Sequence, residues 1–302
     1  MTMNKHDPYG PILEGLQFYN NVETDEELGK RLRGTKKYVT SLRKAYNHSP
    51  SNVDFSCPHT RAAYLLVYFP NYIEPVYEVL SLLSPDDINS TIGREEIKGI
   101  FLGAGPAPET VGLISFLRDR VNCAKSLKAY LLDKYSDQWE AELRITERKI
   151  APCYWPKGKL TITSRQFDFL DPIGLWNPTV KMYINSADIV VMQNCLNDQW
   201  DNGDAINNIV RNIFRKSKSG TLFVIIDLNY PKVHDLIVEI SKGISEDRLG
   251  RVILPLQDKC ATVSRNYDIP KCVTDHLLTR DPVLRTIVRE NTDYYYSVFQ
   301  RT

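Results

Sequence analysis

Nothing in this chain supplies a metal or disulfide staple. The six cysteines (Cys57, Cys123, Cys153, Cys195, Cys260 and Cys272) form no Cys-x-x-Cys pair. That excludes zinc-finger spacing and reads as reduced, mostly buried thiols in a cytoplasmic protein. The five histidines (His6, His48, His59, His234 and His276) are equally dispersed, so no metal is expected. No apolar run approaches the ~18 residues of a membrane span. The opening MTMNKHDPYG has no apolar stretch of the kind a secretory signal needs. Charge of one sign is missing too: 38 Lys and Arg against 37 Asp and Glu leave +1. A globally basic nucleic-acid coat and an acidic tail are therefore excluded, whereas a local basic patch is not. No low-complexity tract or internal repeat of about 20–50 residues is visible.

What is present is an ordinary globular composition, 42% hydrophobic and 25% charged over 302 residues. At roughly 100–200 residues per domain there is room for two domains. The pattern changes near residue 95. Before it, residues 10–20 and 24–47 place apolar residues three and four apart, as helices do. Thr24 and Glu27 have the spacing of a capping box. Residues 58–83 predict a pair of apolar helices broken at Pro70, which cannot donate to the preceding turn. Residues 84–89 read as a linker or helix start.

After residue 95 strands and helices alternate. Strands are expected at 98–105, 126–135, 159–171, 187–198, 221–230, 251–257 and 294–302, and helices at 109–120, 137–151, 204–217 and 232–243. Such alternation builds βαβ units. The expectation is an α/β fold: a Rossmann-like, seven-stranded, doubly wound sheet with one reversed strand. A helical domain over residues 1–93 precedes this sheet domain over 94–302.

Four polar groups then fall at strand carboxyl ends, where open α/β sheets bind ligands. The first is the turn Gly103-Ala104-Gly105-Pro106, whose glycines admit close backbone approach. The second is Asp133 in LLDKY, followed by Lys134; its carboxylate suits two ribose hydroxyls. The third is Gln166-Phe167-Asp168-Phe169, an acid beside aromatics that could hold an adenine. The fourth is Gln193-Asn194-Cys195-Leu196-Asn197-Asp198. Together they predict a nucleoside-type cofactor. A nicotinamide turn would need a third glycine where Pro108 stands, and a P-loop would need Gly-Lys-Ser/Thr. Pro106 and Pro108 remove two N–H groups that a pyrophosphate would use. The site suits a ligand without phosphate, of which S-adenosylmethionine is one.

Residues 98–302 resemble the class I S-adenosylmethionine-dependent methyltransferases. GAGP at 103–106 is similar to the family's first motif, the acid Asp133 to its second, and QFDF at 166–169 to its adenine-contact motif. ADIVVMQNCLND is similar to its fourth, and YYYSVFQRT to its closing antiparallel strand. The resemblance implies S-adenosylmethionine as cofactor. A further likeness covers RAAYLLVYFPNYIEPVYEVLSLL at 61–83, FLGAGP and DIVVMQNCLND. These stretches resemble the mitochondrial small-ribosomal-subunit methyltransferase-like family, which implies ribosomal RNA as acceptor. That family's cysteine cluster for an iron–sulfur site is not reproduced.

For the acceptor, Asn197 and Asp198 are the polar candidates for orientation, in a reaction that proceeds mainly by alignment. Arg61 and Tyr64 are expected to close over the cofactor, Arg61 pairing its carboxylate. Trp176 and Trp200 are candidate pocket walls, while Trp139 is expected to pack between helix and sheet. Lys30, Arg31, Arg33, Lys36, Lys37, Arg43 and Lys44 form a run with no acid among them. They suit phosphate contacts, with Tyr38 and Tyr46 as stacking rings, and point to RNA. A small-molecule or protein acceptor, with the helical region as a lid, stays open. So does an inactive binding or assembly factor of the same fold.

Overall fold

The computed structural model describes residues 7–19, 21–48, 53–168, 170–171, 177–197, 202–278 and 288–302. Two apolar runs make the middle of the sheet. β4 (Ile189–Gln193) and β5 (Leu222–Leu228) are buried at every position, as parallel strands covered on both faces must be. β1 (Glu96–Leu102), β2 (Ser126–Asp133) and β3 (Lys159–Gln166) follow outward on one side. On the other side β8 (Asn291–Arg301) runs antiparallel to β5, and β6 (Gly250–Leu254) pairs with it. The order is β3-β2-β1-β4-β5-β8-β6.

The sheet has eight strands, which corrects the expected seven. β8 has eleven residues, too many for the five of β6 to cover. β6 pairs with residues 298–301, and β7 (Ala261–Ser264) takes up residues 291–294 of β8. Residues 255–260, starting with Pro255, interrupt what would otherwise be one neighbouring strand. Other boundaries move inward. β3 stops at Gln166, not 171, and β4 stops at Gln193, not 198. Asn194 turns the chain there with a left-handed φ of 54°.

Helices cover both faces. α6 (Pro108–Arg120) follows β1; α9 (Pro178–Ser186), α10 (Gly203–Lys216) and α11 (Pro231–Glu246) follow later strands. In α10, Ile206, Ile209, Val210, Ile213 and Phe214 are buried, three and four apart on one face. The expected helix 137–151 is instead α7 (Glu140–Ile145), a π turn (Thr146–Ile150) and α8 (Ala151–Tyr154). α12 (Lys271–His276) was not foreseen.

Before β1 stand α1 (Tyr9–Tyr19), α2 (Asp25–His48), α3 (Pro58–Val67), α4 (Glu74–Ser81) and α5 (Pro85–Thr91). The capping box is formed: Glu27 donates its N–H to Thr24 Oγ1 at 3.2 Å, and Glu27 Oε2 accepts from Thr24 N at 3.2 Å. Pro70 does break the 58–83 segment, which passes through a 3-10 turn (Phe69–Tyr72) between α3 and α4. Ser84 caps α5 by accepting from Asp87 N at 3.1 Å.

The two sheet faces carry two apolar clusters. One joins Ile100, Leu102, Val190, Met192 and Ile225 to α9, α10 and α11. The other joins Phe101, Val191 and Val224 to α6 and to Tyr9, Ile12, Leu32, Val39, Phe69 and Tyr77 of the leading helices. Among the described residues the leading helices therefore close no core of their own; their buried faces run on into the sheet's.

Gly112 of α6 lies where this packing is tightest. A Cβ there would run into the Ile73 carbonyl oxygen and sit 3.2 Å from Val76 Cβ. Gly112→Ala should destabilise the fold by about 1–3 kcal/mol through overpacking. A thermal melt checks this; an unchanged midpoint would show that the contact relaxes freely.

Candidate cofactor and acceptor site

The parallel register aligns the carboxyl ends of the strands. Leu102 pairs with Leu132, Asp133 with Gln166, and Leu102 with Met192. The strand order reverses direction between β1 and β4, so the topological switch point lies there. The glycine turn leaves β1 at this point, and Gln193 ends β4 beside it.

In the turn, Gly103 and Gly105 have φ of 65° and 49°. L side chains rarely take those values, so glycine is needed for backbone conformation. A Cβ on Gly105 would still find 3.6 Å to the Trp139 ring, an ordinary contact. Gly103 N donates to Leu132 O at 2.8 Å. Ala107, also left-handed at φ 63°, precedes Pro108 and starts α6.

Asp133 links the two strand ends. Its Oδ2 accepts from Gly105 N at 3.0 Å and its Oδ1 from Tyr135 N at 2.7 Å. Burial raises its pKa, against the pull of those two N–H groups. Each carboxylate oxygen has further lone pairs, so acceptor capacity remains. Phe167, buried, donates its N–H to Asp133 O at 3.1 Å. Asp168 is ion-paired with Lys134 at 3.0 Å. Thus the turn, Asp133, Lys134, Phe167 and Asp168 come together. Phe169, Asp198, Trp176 and Trp200 lie outside the described residues.

At the end of β4, Gln193 Nε2 donates to Tyr72 O at 2.6 Å, and its Oε1 is buried with no partner among the described residues. Asn194 N donates to Ile226 O at 3.0 Å. Cys195 is buried in the apolar cluster on the α9–α11 face. Asn197 is also buried, its Oδ1 without a partner among the described residues. Leu196 N and Asn197 N donate to Asp227 Oδ2 at 2.8 and 3.4 Å.

Arg61 is held elsewhere. Its Nε lies 3.2 Å from Glu142 Oε2, and its Nη1 donates to the carbonyls of Phe55 at 2.8 Å and Ser56 at 3.0 Å. Glu142 explains the placement: burial raises its pKa and the Arg61 charge lowers it. Tyr64 belongs to a ring cluster with Phe55, Tyr68, Tyr72 and Trp139, at centroid distances of 5.5–6.4 Å from Tyr64. Trp139, expected as packing, is that and also backs the Gly105 turn.

On the basic helix, Leu28, Leu32, Val39 and Leu42 face the core. Lys30, Arg33, Lys37 and Lys44 are exposed, at spacings that put them on one side. Lys36, Arg31 and Arg43 are less exposed. Arg33 Nη1 is hydrogen-bonded to His276 Nδ1 at 3.0 Å. The two expected stacking rings are engaged internally: Tyr38 stacks on His59 at 5.1 Å, and Tyr46 lies 5.0 Å from Tyr68.

Several residues escaped the sequence reading. Arg43 and Arg289 act on Tyr68, whose pKa burial pushes up to about 12. Burial lowers the Arg43 pKa, and Arg289 adds like-charge repulsion. Burial works against Arg289 as well, but Tyr72, Tyr230 and Tyr68 outweigh it and raise its pKa. Nothing in the local sequence marks Arg289. Glu109, fully buried with Oε1 unpartnered, has its pKa raised strongly by burial and further by Asp133. Asp227 did leave a signal, as the lone charge in the apolar run TLFVIIDL.

Among the described residues, no helix is long and apolar enough to cross a membrane, and no group of three or more His, Cys, Asp or Glu could hold a metal. No protein-family model matches the chain, and no curated protein matches it. Solved structures similar to it include precorrin-6y C5,15-methyltransferase from Geobacter metallireducens, at 12% identity over 72% of this chain and 86% of that one, TM-score 0.39. Phosphoethanolamine N-methyltransferase 2 from Haemonchus contortus, bound to phosphomonomethylethanolamine and S-adenosylhomocysteine, is similar at 12% identity over 83% and 61%, TM-score 0.40. The DszA carbon methyltransferase is similar at 12% over 90% and 70%, TM-score 0.40.

Asp227 gives a pH test. Burial pushes its pKa up to about 7, against N–H donors from Leu196, Leu228 and Asn197. An unfolded aspartate titrates near ~4. Between ~4 and ~7 the folded chain holds a proton that the unfolded chain has released, so stability falls as pH rises through that window. Asp227→Asn should shallow that fall, read as urea midpoints at about pH 5 and pH 7.5. An unchanged slope would mean that Asp227 is ionised throughout.

Proposed function

We propose that this chain is an S-adenosylmethionine-dependent methyltransferase with RNA as its acceptor. The observation that carries the reading is Asp133, buried at the carboxyl end of β2 with acceptor capacity to spare, against a glycine turn that leaves β1 at the switch point and is stripped of phosphate-binding N–H groups by Pro106 and Pro108. A ribose offers two neutral hydroxyl donors, which suits a carboxylate already short of water. The other residues fit the same group. Phe167 and Asp168 would meet the adenine, with Lys134 holding Asp168 in place. Gln193 Oε1, buried and unpartnered, would accept an N–H. Gly103, Ala104, Gly105 and Pro106 would carry the amino-acid end past the turn, with Asn194 and Cys195 on the opposite wall. Bound there, S-adenosylmethionine supplies an electrophilic methyl group on a sulfonium.

Arg61 is spoken for by Glu142, so its part is to position Glu142 and the Phe55–Ser56 loop rather than to bind a carboxylate. Tyr64 stiffens the ring cluster behind the turn. Asn197, with a buried Oδ1 in need of a donor, would orient an N–H of the acceptor. Asp198 follows it in sequence as a second candidate for that role.

RNA is favoured by the basic helix. Lys30, Lys37 and Lys44 are exposed along one side of α2, and Arg43 of the same helix reaches Tyr68 and comes under the charge of Arg289. A phosphate backbone following those charges would be led toward Tyr72, whose carbonyl holds Gln193. Ribosomal RNA is the finer reading, which the likeness of residues 61–83 supports. The helical segment 1–93 would then be the acceptor-binding part and 94–302 the catalytic part.

Two measurements test this. In calorimetry with S-adenosylhomocysteine, Asp133→Ala should lose about ten-fold or more in affinity while its melt shows a folded chain; unchanged affinity overturns the cofactor reading. For the acceptor, single-stranded RNA binding should weaken with salt. The triple change Lys30→Ala, Lys37→Ala and Lys44→Ala should reduce the log–log slope by about 2, at ~0.7 per phosphate contact. A flat slope in the parent chain would transfer the proposal to a small-molecule acceptor.

A further inference from the structure

β3 is the last strand on its side of the sheet. Its backbone has a fixed polarity across that edge. Lys159 N donates to Lys125 O at 3.0 Å at one end, and just past the other end Phe167 N donates to Asp133 O at 3.1 Å. The register with β2 is unbroken between them. With a period of two, the odd-numbered residues bond to β2, while Leu160, Ile162, Ser164 and Gln166 turn their N–H and C=O groups outward. Among the described residues nothing accepts from the N–H groups of Leu160, Ser164 and Gln166. The N–H of Ile162 is taken at 2.8 Å by Glu147 Oε1, from the π turn. That carboxylate oxygen stands where the carbonyl oxygen of a neighbouring strand would be.

The two faces of this edge differ. Leu160 and Ile162 pack on the cluster shared with the leading helices. On that side a cavity of about 420 Å³ opens along the strand, with Ile162 and Ser164 on one wall and Leu143, Arg144, Glu147 and Arg148 on the other. Its charges are of both signs, and Arg144 is ion-paired with Glu140. The side chains of the opposite face are of another kind. Lys159, Thr161 and Arg165 are exposed there and Thr163 is half-buried. This face of β3 therefore carries a cation at each end, two β-branched hydroxyl residues between them, and no acid.

An edge with open N–H and C=O groups is a template for one more strand. Charge decides what that strand is. A second copy pairing antiparallel about Ile162 would set the Lys159 of each copy against the Arg165 of the other, and like charges directly opposite are destabilising. A strand with acids toward the two ends of one face meets both cations. Hydroxyl or β-branched residues between those acids pair with Thr161 and Thr163. Apolar residues on its other face enter the cavity beside Leu143 and Ile162. We propose that the edge of β3 binds an extended acidic segment of a partner protein as a ninth strand, and that Glu147 guards the edge until a carbonyl of that segment takes its place. The proposal goes beyond methyl transfer and does not rest on it.

The probe is the end-capped, fluorescently labelled peptide Glu-Val-Thr-Val-Thr-Val-Glu, titrated with the full chain and read by anisotropy. Saturable binding is expected, with slower amide hydrogen exchange at residues 160–166. A peptide with Pro-Pro-Pro at its centre keeps the charge but loses the central N–H donors, and should bind far more weakly. So should the same peptide with lysine in place of glutamate. The exposed pair Lys159→Glu and Arg165→Glu should weaken binding about ten-fold or more. Glu147→Ala should tighten it about five-fold, since a competing acceptor is gone. Should Glu147→Ala fail to fold, the exposed pair decides alone. No saturable binding, equal affinity for the proline peptide, or binding without protection at 160–166 overturns the proposal. So does a concentration-dependent dimer of the parent chain that protects 160–166, which would make a second copy the occupant. Unchanged affinity in a folded Glu147→Ala overturns the part assigned to Glu147.

Discussion

A carboxylate with little water around it ties two neighbouring strand ends together. Asp133 closes β2, and one of its oxygens takes the N–H of Gly105 in the turn that leaves β1. The other takes the N–H of Tyr135. Without that acceptor the turn would hold a part-buried amide without this bond, and its left-handed glycines would lose a contact that holds them. The same interaction sets the acid against the turn that leaves β1 where strand order reverses. What makes the turn rigid therefore also makes it a place for a hydroxyl-bearing ligand.

Burial of acids recurs on this molecule. Asp133, Glu109, Asp227, Glu142 and Glu74 all have pKa values raised by burial. The compensation differs in each case. Backbone N–H groups serve Asp133 and Asp227, and Arg61 serves Glu142. Glu109 and Glu74 each keep one oxygen unpartnered. Asp227 and Glu142 are structural solutions complete in themselves, whereas each Asp133 oxygen takes a single N–H and keeps further lone pairs.

Legibility in the sequence followed the physics of each signal. β4 and β5 could be read because both faces are buried, which forces an unbroken apolar run. The capping box of α2 and the break at Pro70 could be read because both are local. β7 could not, because four residues with alternate exposure are set by the length of β8, far along the chain. The strand ends beyond Gln166 and Gln193 were overrun because residue pattern does not show a left-handed turn at Asn194. The glycine turn and Asp133 were legible as a pair since each stands at the end of an apolar strand. The pairing of Arg61 could not be read, because its partner Glu142 lies 81 residues away. Arg289 was missed for the same reason, its tyrosine neighbours coming from other elements.

The leading helices gain their meaning from this arrangement. They cover one sheet face as a layer continuous with α6, so α2 is fixed relative to the carboxyl edge and not hinged to it. A charge on α2 then has a definite place. Its outer lysines face solvent, where salt screens them within about 10 Å. Arg43, on the same helix, is drawn in toward Tyr68, where screening is weaker and the repulsion from Arg289 is felt.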